Sequence, residues 1–293
     1  MIAEKGRWET MDTLKVGDFQ LVWLNGGKIE LDGGGMFGVV PKTMWSKRYP
    51  CNVFNQIELR TDPILIQANG QNLLIDTGVG SNKFNEKQKM RFGIAEESTL
   101  ERSLAELGLT PTNIDHVLLT HFHNDHAAGL TRMENDQSIP VFTQAIHHVQ
   151  AKEWDEVRSP NNRTRNTYLK ENWQPVEPMV RCFEDQIEVT EGIQLIHTGG
   201  HSAGHYMVRI QSKGEIAYHF ADIMPTHVHK NPLWVMAYDD YPMDSIFAKE
   251  KWVKQAIDEN AYFTFYHDYF CRAVKWDSDG KVIEQIKATT SSN

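Results

Sequence analysis

The stretch Thr120-His121-Phe122-His123-Asn124-Asp125-His126 decides the fold of this 293-residue chain. It directly follows the apolar, strand-like run IDHVLLT (114–120). Because alternate residues of an extended chain point to the same side, His121 and His123 can face one metal ion. Asp125 and His126 follow where the chain turns, so they can serve a second ion. Imidazole and carboxylate ligands suit zinc, and also manganese, cobalt and iron. The stretch therefore predicts a metal site at the end of a strand.

The pattern Thr-His-x-His-x-Asp-His resembles the metal signature of the metallo-β-lactamase superfamily. The superfamily's later ligand positions are matched by His201 in a glycine-rich turn, by Asp222 at a strand end and by His267 after an apolar run. The run Ile-Asp-Thr-Gly (75–78) matches its structural Asp-Thr-Gly turn. The resemblance implies a fold of the α/β (α+β) class. Its form is an αββα sandwich, with two mixed β-sheets inside and helices outside.

The resemblance also implies two divalent metal ions per chain, with Zn²⁺ expected first and Mn²⁺, Co²⁺ or Fe²⁺ as alternatives. It assigns one ion to His121, His123 and His201, the other to Asp125, His126 and His267, and a bridging role to Asp222. Two ions about 3.5–4 Å apart can share one hydroxide, which is the expected nucleophile. Asp125 and Asp222 are the predicted catalytic residues, and Asp125 is expected to carry a proton to the leaving oxygen.

Five further residues are predicted to support the site or to contact substrate. Asp76 is expected to accept a hydrogen bond from a ligand histidine, the alternative being a turn residue that caps local backbone. His205 is expected to support the ligands without binding metal. Met36 and Phe37 lie in the segment GGGMFG (33–38), which is either a lid over an acyl chain or a core or dimer contact. His229 is expected to line the pocket.

The ligand set is similar to that of dinuclear N-acyl homoserine lactonases and organophosphate hydrolases. A β-lactam substrate is disfavoured because no cysteine lies near Asp222, and a glyoxalase II because only 26 residues follow His267. The lactonases carry an assisting tyrosine where this chain has Pro225. The predicted function is the opening of a small-molecule N-acyl homoserine lactone, that is, quorum quenching. The alternative is hydrolysis of a phosphotriester or another ester or lactone. A flavin-partnered di-iron oxidoreductase and a metal-free binding protein are rivals that the sequence disfavours.

Composition narrows the class of protein. Apolar residues make up 40% of the chain and the formal net charge is −9, so a globular domain is expected and a nucleic-acid partner is not. The sequence shows neither a signal peptide nor a membrane span, and its three isolated cysteines fit a reducing cytoplasm. The resemblance adds a homodimer. We expect one domain over residues 11–293, preceded by residues 1–10 as an N-terminal extension or a remnant of cloning.

Local patterns predict several elements that frame the motifs. Asn69-Gly70 is typical of a hairpin turn. Three helices are predicted: one near residues 98–108 with a Ser98–Glu101 capping box and Gly108 at its end, one over 145–157 that carries His147 and His148, and one over 244–260 with Asp244 as N-cap. The polar stretch 159–173 is expected to be a lid, a dimer arm or a solvated loop.

Overall fold

Two β-sheets of seven strands each form the centre of the structure, a computed structural model that describes residues 11–289. The first sheet contains, in spatial order, Thr13–Val16, Phe19–Trp23, Ile64–Ala68, Gln71–Ile75, His116–Leu118, Ile146–Gln150 and Val180–Phe183. The second contains Gln186–Thr190, Ile193–His197, Tyr206–Ser212, Glu215–His219, Tyr262–Thr264, Cys271–Trp276 and Val282–Lys287. Both combine parallel and antiparallel pairs, so both are mixed as predicted.

Alternating side chains divide the core into layers. Ile64 and Ile66 pack between the sheets with Val208 of the second sheet. Leu65, which lies between them in the strand, faces the other way and packs with Leu104 of a covering helix. Successive residues of a strand point to opposite faces of the sheet. A strand whose side chains are apolar on both faces therefore predicts a sheet that is covered on both sides. The outer face of the second sheet is covered by Val253 and its neighbours in the long C-terminal helix. The predicted αββα sandwich is therefore confirmed.

Short helices and two small sheets complete the described fold. The helices are Gly33–Phe37, Lys42–Trp45, Glu86–Phe92, Leu100–Glu106, Asn124–Ala127, Ala151–Arg158, Lys170–Trp173 and Pro242–Asp258. The 3-10 turns are Pro111–Asn113, Ala128–Leu130, Thr164–Asn166, Gln174–Met179, Ala221–Ile223 and His227–Lys230. The small sheets are the three strands Gln56–Arg60, Lys28–Asp32 and Ile94–Glu96, and the hairpin Thr131–Glu134 with Gln137–Pro140.

The predicted helix over residues 145–157 is wrong in its first half. Residues Ile146–Gln150 form a strand between two parallel neighbours, and a helix begins only at Ala151. The Gln150 side chain caps that helix, because its oxygen accepts hydrogen bonds from the second and third backbone N–H groups. His147 and His148 are therefore strand residues that point to opposite faces. Burial in the sheet outweighed a sequence pattern that also fits a helix.

The two other helix predictions need smaller corrections. No capping box forms at Ser98, because the N-cap of helix Leu100–Glu106 is Thr99 and Ser98 Oγ instead accepts from the Leu100 N–H. The long helix begins at Pro242 after Tyr241, which places Asp244 in its first turn. The predicted hairpin is confirmed, since Asn69 and Gly70 both have positive φ between paired strands.

Three expectations concern the chain as a whole: a membrane-spanning helix, its first ten residues and its number of domains. Within residues 11–289, no helix is long and apolar enough to cross a membrane. The prediction for residues 1–10 lies outside the described part of the chain. A single domain over 11–293 stays a prediction.

Candidate metal centre

The seven predicted ligand residues converge on one place in the fold. They form three overlapping groups in which the ligand atoms lie within 4.8 Å of one another. The groups are His121 with His123 and His201, His121 with His126 and Asp222, and Asp125 with His126 and His267. Each group offers three imidazole or carboxylate ligands, the donors that a divalent ion such as Zn²⁺ takes from a protein.

The loop after strand His116–Leu118 carries the first four of these residues. The rings of His121 and His123 are perpendicular, with centroids 4.6 Å apart. The backbone N–H of His126 donates to the His123 carbonyl, which closes a helical turn. That turn brings the His126 ring back to 4.1 Å from the ring of His121. The strand end and the turn after it therefore place both halves of the motif at one centre.

A glycine allows His201 to reach the same centre. Gly200 has φ +94°, and a Cβ built on it would lie 2.4 Å from Ser245 Oγ and 2.7 Å from Ser245 N. No side chain fits between this loop and the start of helix Pro242–Asp258. The loop is held there by the N–H of Tyr241, which donates to the Gly200 carbonyl at 2.8 Å.

His205 holds the backbone of Asp222. The Asp222 N–H donates to His205 Nε2 at 3.1 Å, so the proton of His205 is on Nδ1. That Nδ1 lies 2.7 Å from Thr198 Oγ1 and donates to it. His205 thus lies beside the ligand groups without belonging to any of the three, which is the placement expected from the sequence.

Oxygen acceptors fix the orientation of three histidines. The Nδ1–H groups donate as follows: His126 to Asp76 Oδ2 at 2.8 Å, His267 to the Arg60 carbonyl at 2.7 Å, and His201 to Asp239 Oδ1 at 2.9 Å. Each bond leaves the lone pair on Nε2, which faces the centre. Asp76 also accepts from the N–H and hydroxyl of Thr120, at 2.9 and 2.8 Å. Both interpretations of Asp76, support of a histidine and capping of backbone, therefore apply.

The interior of the cluster fits a bound cation. Nε2 of His126 and Nε2 of His267 lie 3.0 Å apart, and each carries a lone pair when its ring is neutral. Asp222 Oδ1 lies 3.3 and 3.2 Å from these two nitrogens, and among residues 11–289 it has no hydrogen-bond partner. Within the same residues, His121 Nε2 is also buried without a partner. Lone pairs that face one another repel unless a proton or a metal ion lies between them, so the donor set fits divalent metal.

The protonation states favour the same occupant. Burial, with added repulsion from neighbouring imidazoles, holds the pKa values of His121 and His123 well below the ordinary value. Burial alone would raise the pKa of the Asp222 carboxyl, but His267, His126 and His201 hold it well below the usual range. Metal ligands must be neutral imidazoles and ionised carboxylates, which are the forms that His121, His123 and Asp222 adopt near neutral pH. Against the effect of burial, Asp222 and Asp76 raise the pKa of His126, and Asp222 and Asp239 raise that of His201, so metal binding would release protons from these two rings.

Asp125 is a ligand candidate that is only partly buried and lines the cavity. Its side chain is 24% exposed, and its Oδ2 lies 3.5 Å from Nε2 of His267. Tyr266, which the sequence analysis missed, supports it from behind. The Tyr266 hydroxyl donates to the Asp125 carbonyl at 2.7 Å and accepts from the Gly78 N–H at 2.9 Å. Its ring stacks on His126 at 4.4 Å. Asp125 can therefore exchange a proton with a bound molecule while its backbone stays fixed.

A cavity of about 440 Å³ opens onto the cluster, and His123, Asp125, His201, Asp222 and His267 form its floor. Its apolar lining comprises Ile29, Leu31, Met36, Leu59, Val79, Phe92 and Met236, most of which pack in one cluster. Its polar lining includes Arg91, Arg163, Thr164, Asn166, Thr167, Tyr238 and Asp240. The polar stretch 159–173 thus contributes to the cavity lining. A mixed lining suits a ligand with a reactive polar end and an apolar tail.

Of the three predicted substrate contacts, only Met36 lines the cavity. Phe37 and His229 are fully buried behind it. Their rings stack at 4.7 Å, and His229 Nε2–H donates to the Met36 carbonyl at 2.8 Å. The expectation that Phe37 and His229 face the ligand is corrected accordingly: they hold Met36 in place. The His-x-His spacing at 227–229 gave no indication of that burial.

The comparisons with known proteins agree with this geometry. Residues 58–216 match the metallo-beta-lactamase superfamily. An N-acyl homoserine lactonase of a Bacillus species is 27% identical over 158 residues, 54% of this chain and 57% of that protein. The chain thus spans just over half the length of the curated lactonases that it matches.

Two solved structures extend the likeness to nearly the whole chain. A probable metal-dependent hydrolase from Staphylococcus aureus is 48% identical, with a TM-score of 0.91, over 95% of this chain and 100% of that one. AidC, a dizinc quorum-quenching lactonase, shares the fold at 18% identity and a TM-score of 0.77, over 96% and 98%. The chain belongs to the metallo-β-lactamase superfamily.

Proposed function

We propose that this chain is a metal-dependent hydrolase that opens the lactone ring of N-acyl homoserine lactones, the reaction of quorum quenching. The observation that carries the proposal is the cavity, whose lining combines the metal-ligand cluster with a set of apolar side chains and a set of polar ones. An acyl homoserine lactone has a small reactive ring, a polar amide and an apolar tail. The tail matches the apolar side chains, and the amide matches the hydroxyl and amide groups. The similarity to curated lactonases over 158 residues supports the same choice.

The cluster would hold two divalent ions, with Zn²⁺ the first expectation. His121, His123 and His201 would hold one ion, and Asp125, His126 and His267 the other, with Asp222 between them. Bound divalent ions polarise a carbonyl oxygen and lower the pKa of water to about 7, so a nucleophile exists at neutral pH. The close approach of the His126 and His267 nitrogens supports this occupancy, because a bound cation would take both lone pairs.

Ring opening needs a proton for the leaving oxygen. Water adds its oxygen to the carbonyl carbon, the ring C–O bond breaks, and the proton lost by the water moves to the alkoxide. Asp125 is suited to carry that proton, because it is partly exposed on the cavity floor. The products are a carboxylate and an alcohol on one open chain.

Tyr238 is the phenol best placed to assist, since Pro225 has no donor. The hydroxyls of Tyr168 and Tyr266 are committed to Glu153 and to the Asp125 carbonyl. Tyr238 lines the cavity instead. Burial, with Asp32 and Asp125 nearby, raises the pKa of Tyr238, which keeps it a proton donor. We therefore assign it the hydrogen bond to the substrate carbonyl or leaving oxygen.

The test is the initial rate of acid release from a short-chain and a long-chain N-acyl homoserine lactone. Metal-replete protein is compared with His121→Ala as the blank. We expect kcat/KM above about 10⁴ M⁻¹s⁻¹ for wild type, in the range of enzymes acting on their own substrates. Each buried methylene of the tail adds about 0.8 kcal/mol, so the longer chain is preferred. A wild-type rate equal to the blank refutes the lactone, and the phosphotriester paraoxon is then assayed in the same way. A homodimer remains a proposal from the resemblance, and a cytoplasmic location remains one from the three isolated cysteines.

A further inference from the structure

Glu153 is a buried carboxylate that accepts four hydrogen bonds. It lies in helix Ala151–Arg158 and has no exposed surface. Its Oε1 accepts from the Phe122 N–H at 2.8 Å and from the Tyr168 hydroxyl at 3.1 Å. Its Oε2 accepts from the Ser202 hydroxyl at 2.6 Å and from the Gly204 N–H at 3.2 Å. Four uncharged donors from three segments thus meet at one side chain.

Three of these donors, at Phe122, Ser202 and Gly204, belong to the two loops that carry one ligand group. Phe122 lies between His121 and His123, and Ser202 directly follows His201. The Tyr168 ring stacks on His123, with centroids 5.9 Å apart. One carboxylate therefore joins the loops that hold His121, His123 and His201. The second group is supported elsewhere, by the Asp76 carboxylate and the Arg60 carbonyl.

The loop from His201 is also packed directly against the glutamate. A Cβ built on Gly204 would lie 2.2 Å from Glu153 N and 2.4 Å from its Cβ. This close approach requires glycine at position 204, so the helix and the loop cannot separate without losing their fit. The hydrogen bonds and the packing fix the same distance between the two loops.

An ionised carboxylate is the form that these contacts need. Burial raises the pKa of Glu153 against the effect of the four donors. Each oxygen nevertheless faces a backbone N–H, which can only donate, at Phe122 or at Gly204. A glutamine side chain has one oxygen and one NH₂ group. Whichever way its amide is turned, the NH₂ group therefore faces one of these two backbone N–H groups, and neither can accept a hydrogen bond. A carboxylate at this position also adds negative charge behind ligands that bind a cation.

We propose that Glu153 is a positioning residue for the site formed by His121, His123 and His201, and that it sets metal affinity there without touching the ion. The inference rests on the two-ion occupancy of the proposed function. It does not depend on the lactone as substrate.

The test is Glu153→Gln, titrated with Co²⁺ and followed by visible absorption and by metal analysis after dialysis. Loss of a residue that orients ligands typically weakens metal binding by about 10- to 100-fold. We expect that loss for one of the two ions, so that bound metal falls from two per chain towards one. The matched control is Glu156→Gln, one turn along the same helix, where the partners are Asn161 and Thr164. It should bind both ions as wild type does.

A His267→Ala background assigns the affected site, because it removes a ligand from the other group. One ion per chain should remain in that variant, and adding Glu153→Gln should weaken this remaining ion. Undiminished binding in the double variant overturns the proposal.

If Glu153→Gln does not fold, Ser202→Ala replaces it. This change removes one hydrogen-bond donor to Glu153 and leaves no backbone N–H without an acceptor. A smaller loss at the same site supports the proposal, and wild-type affinity overturns it. A wild type that binds two ions but opens no lactone refutes the function and leaves this inference standing.

Discussion

Lys249 is a buried lysine that forms no salt bridge within residues 11–289, and replacing it should change how stability depends on pH. It lies in the helix Pro242–Asp258 with no exposed surface. Its ammonium donates to the carbonyls of His229, Asn231 and Trp234 at 3.2, 3.2 and 2.7 Å. These carbonyls belong to the chain that leads to the cavity wall at Met236. Burial lowers the pKa of Lys249 from 10.5 to about 7.

The size of the effect follows from that shift. In the unfolded chain the amine keeps its ordinary pKa, so between pH 7 and pH 10.5 the unfolded state binds more protons than the folded state. The free energy of unfolding therefore rises with pH across this window. Each unit of pKa difference corresponds to about 1.4 kcal/mol, and the gain between pH 7 and pH 9 is about 2 kcal/mol.

The assay is urea unfolding of wild type and Lys249→Met at pH 7, 8 and 9. The stability of wild type minus that of the variant should increase by about 2 kcal/mol over this range, because methionine does not titrate. Subtracting the variant cancels the other titrating groups. Lys251→Met, an exposed position on the same helix, is the control and should give a difference that does not depend on pH. A difference that stays constant for Lys249→Met refutes the reasoning.

Three other predictions concern the site and the core. Tyr238→Phe should lower kcat for a lactone by about 10²-fold with little change in KM, since a donor that acts in the transition state is lost; an unchanged kcat removes the phenol from the reaction. Asp239→Asn should weaken metal binding about 10- to 100-fold in a chelator competition, because the carboxylate orients His201; wild-type affinity contradicts this. Burial lowers the pKa values of His147 and His148 to about 4. Both are neutral in the fold and charge more readily when unfolded, so the stability of the metal-free protein should fall between pH 6.5 and pH 4, by up to ~3 kcal/mol per histidine. A flat profile in denaturant unfolding contradicts that expectation.

The sequence was most informative where residues adjacent in the chain determine the local conformation. The 120–126 motif predicts convergence because its spacing is set by one strand end and one helical turn. Asn69-Gly70 predicts its hairpin for the same reason, since both residues tolerate the positive φ that the turn needs. The apolar run 114–120 predicts the strand His116–Leu118, which is shorter than the run by two residues at each end.

Prediction failed where a distant neighbour decides the conformation. The run around His147 and His148 fits a helix locally, yet two parallel strands pair with it and the helix begins only after Gln150. His229 was expected at the pocket because it follows Asp222 closely in sequence, but Phe37 covers one face of its ring. Neither the strand pairing nor the ring stacking can be recognised from the residues that are adjacent in sequence. Local pattern is a weak guide wherever tertiary packing offers a better partner.

The groups that orient the ligands come from different layers, and this explains why the motif alone does not make the site. Asp76 follows a strand of the first sheet, the Arg60 carbonyl belongs to a small sheet, and Asp239 precedes the helix that covers the second sheet. Glu153 comes from a helix on the first sheet. Each ligand ring therefore takes its final orientation only when all the layers have assembled. The ligand identities can be read from the sequence because metal chemistry restricts the residue types. Their orientation, and with it the metal affinity, is a property of the assembled sandwich.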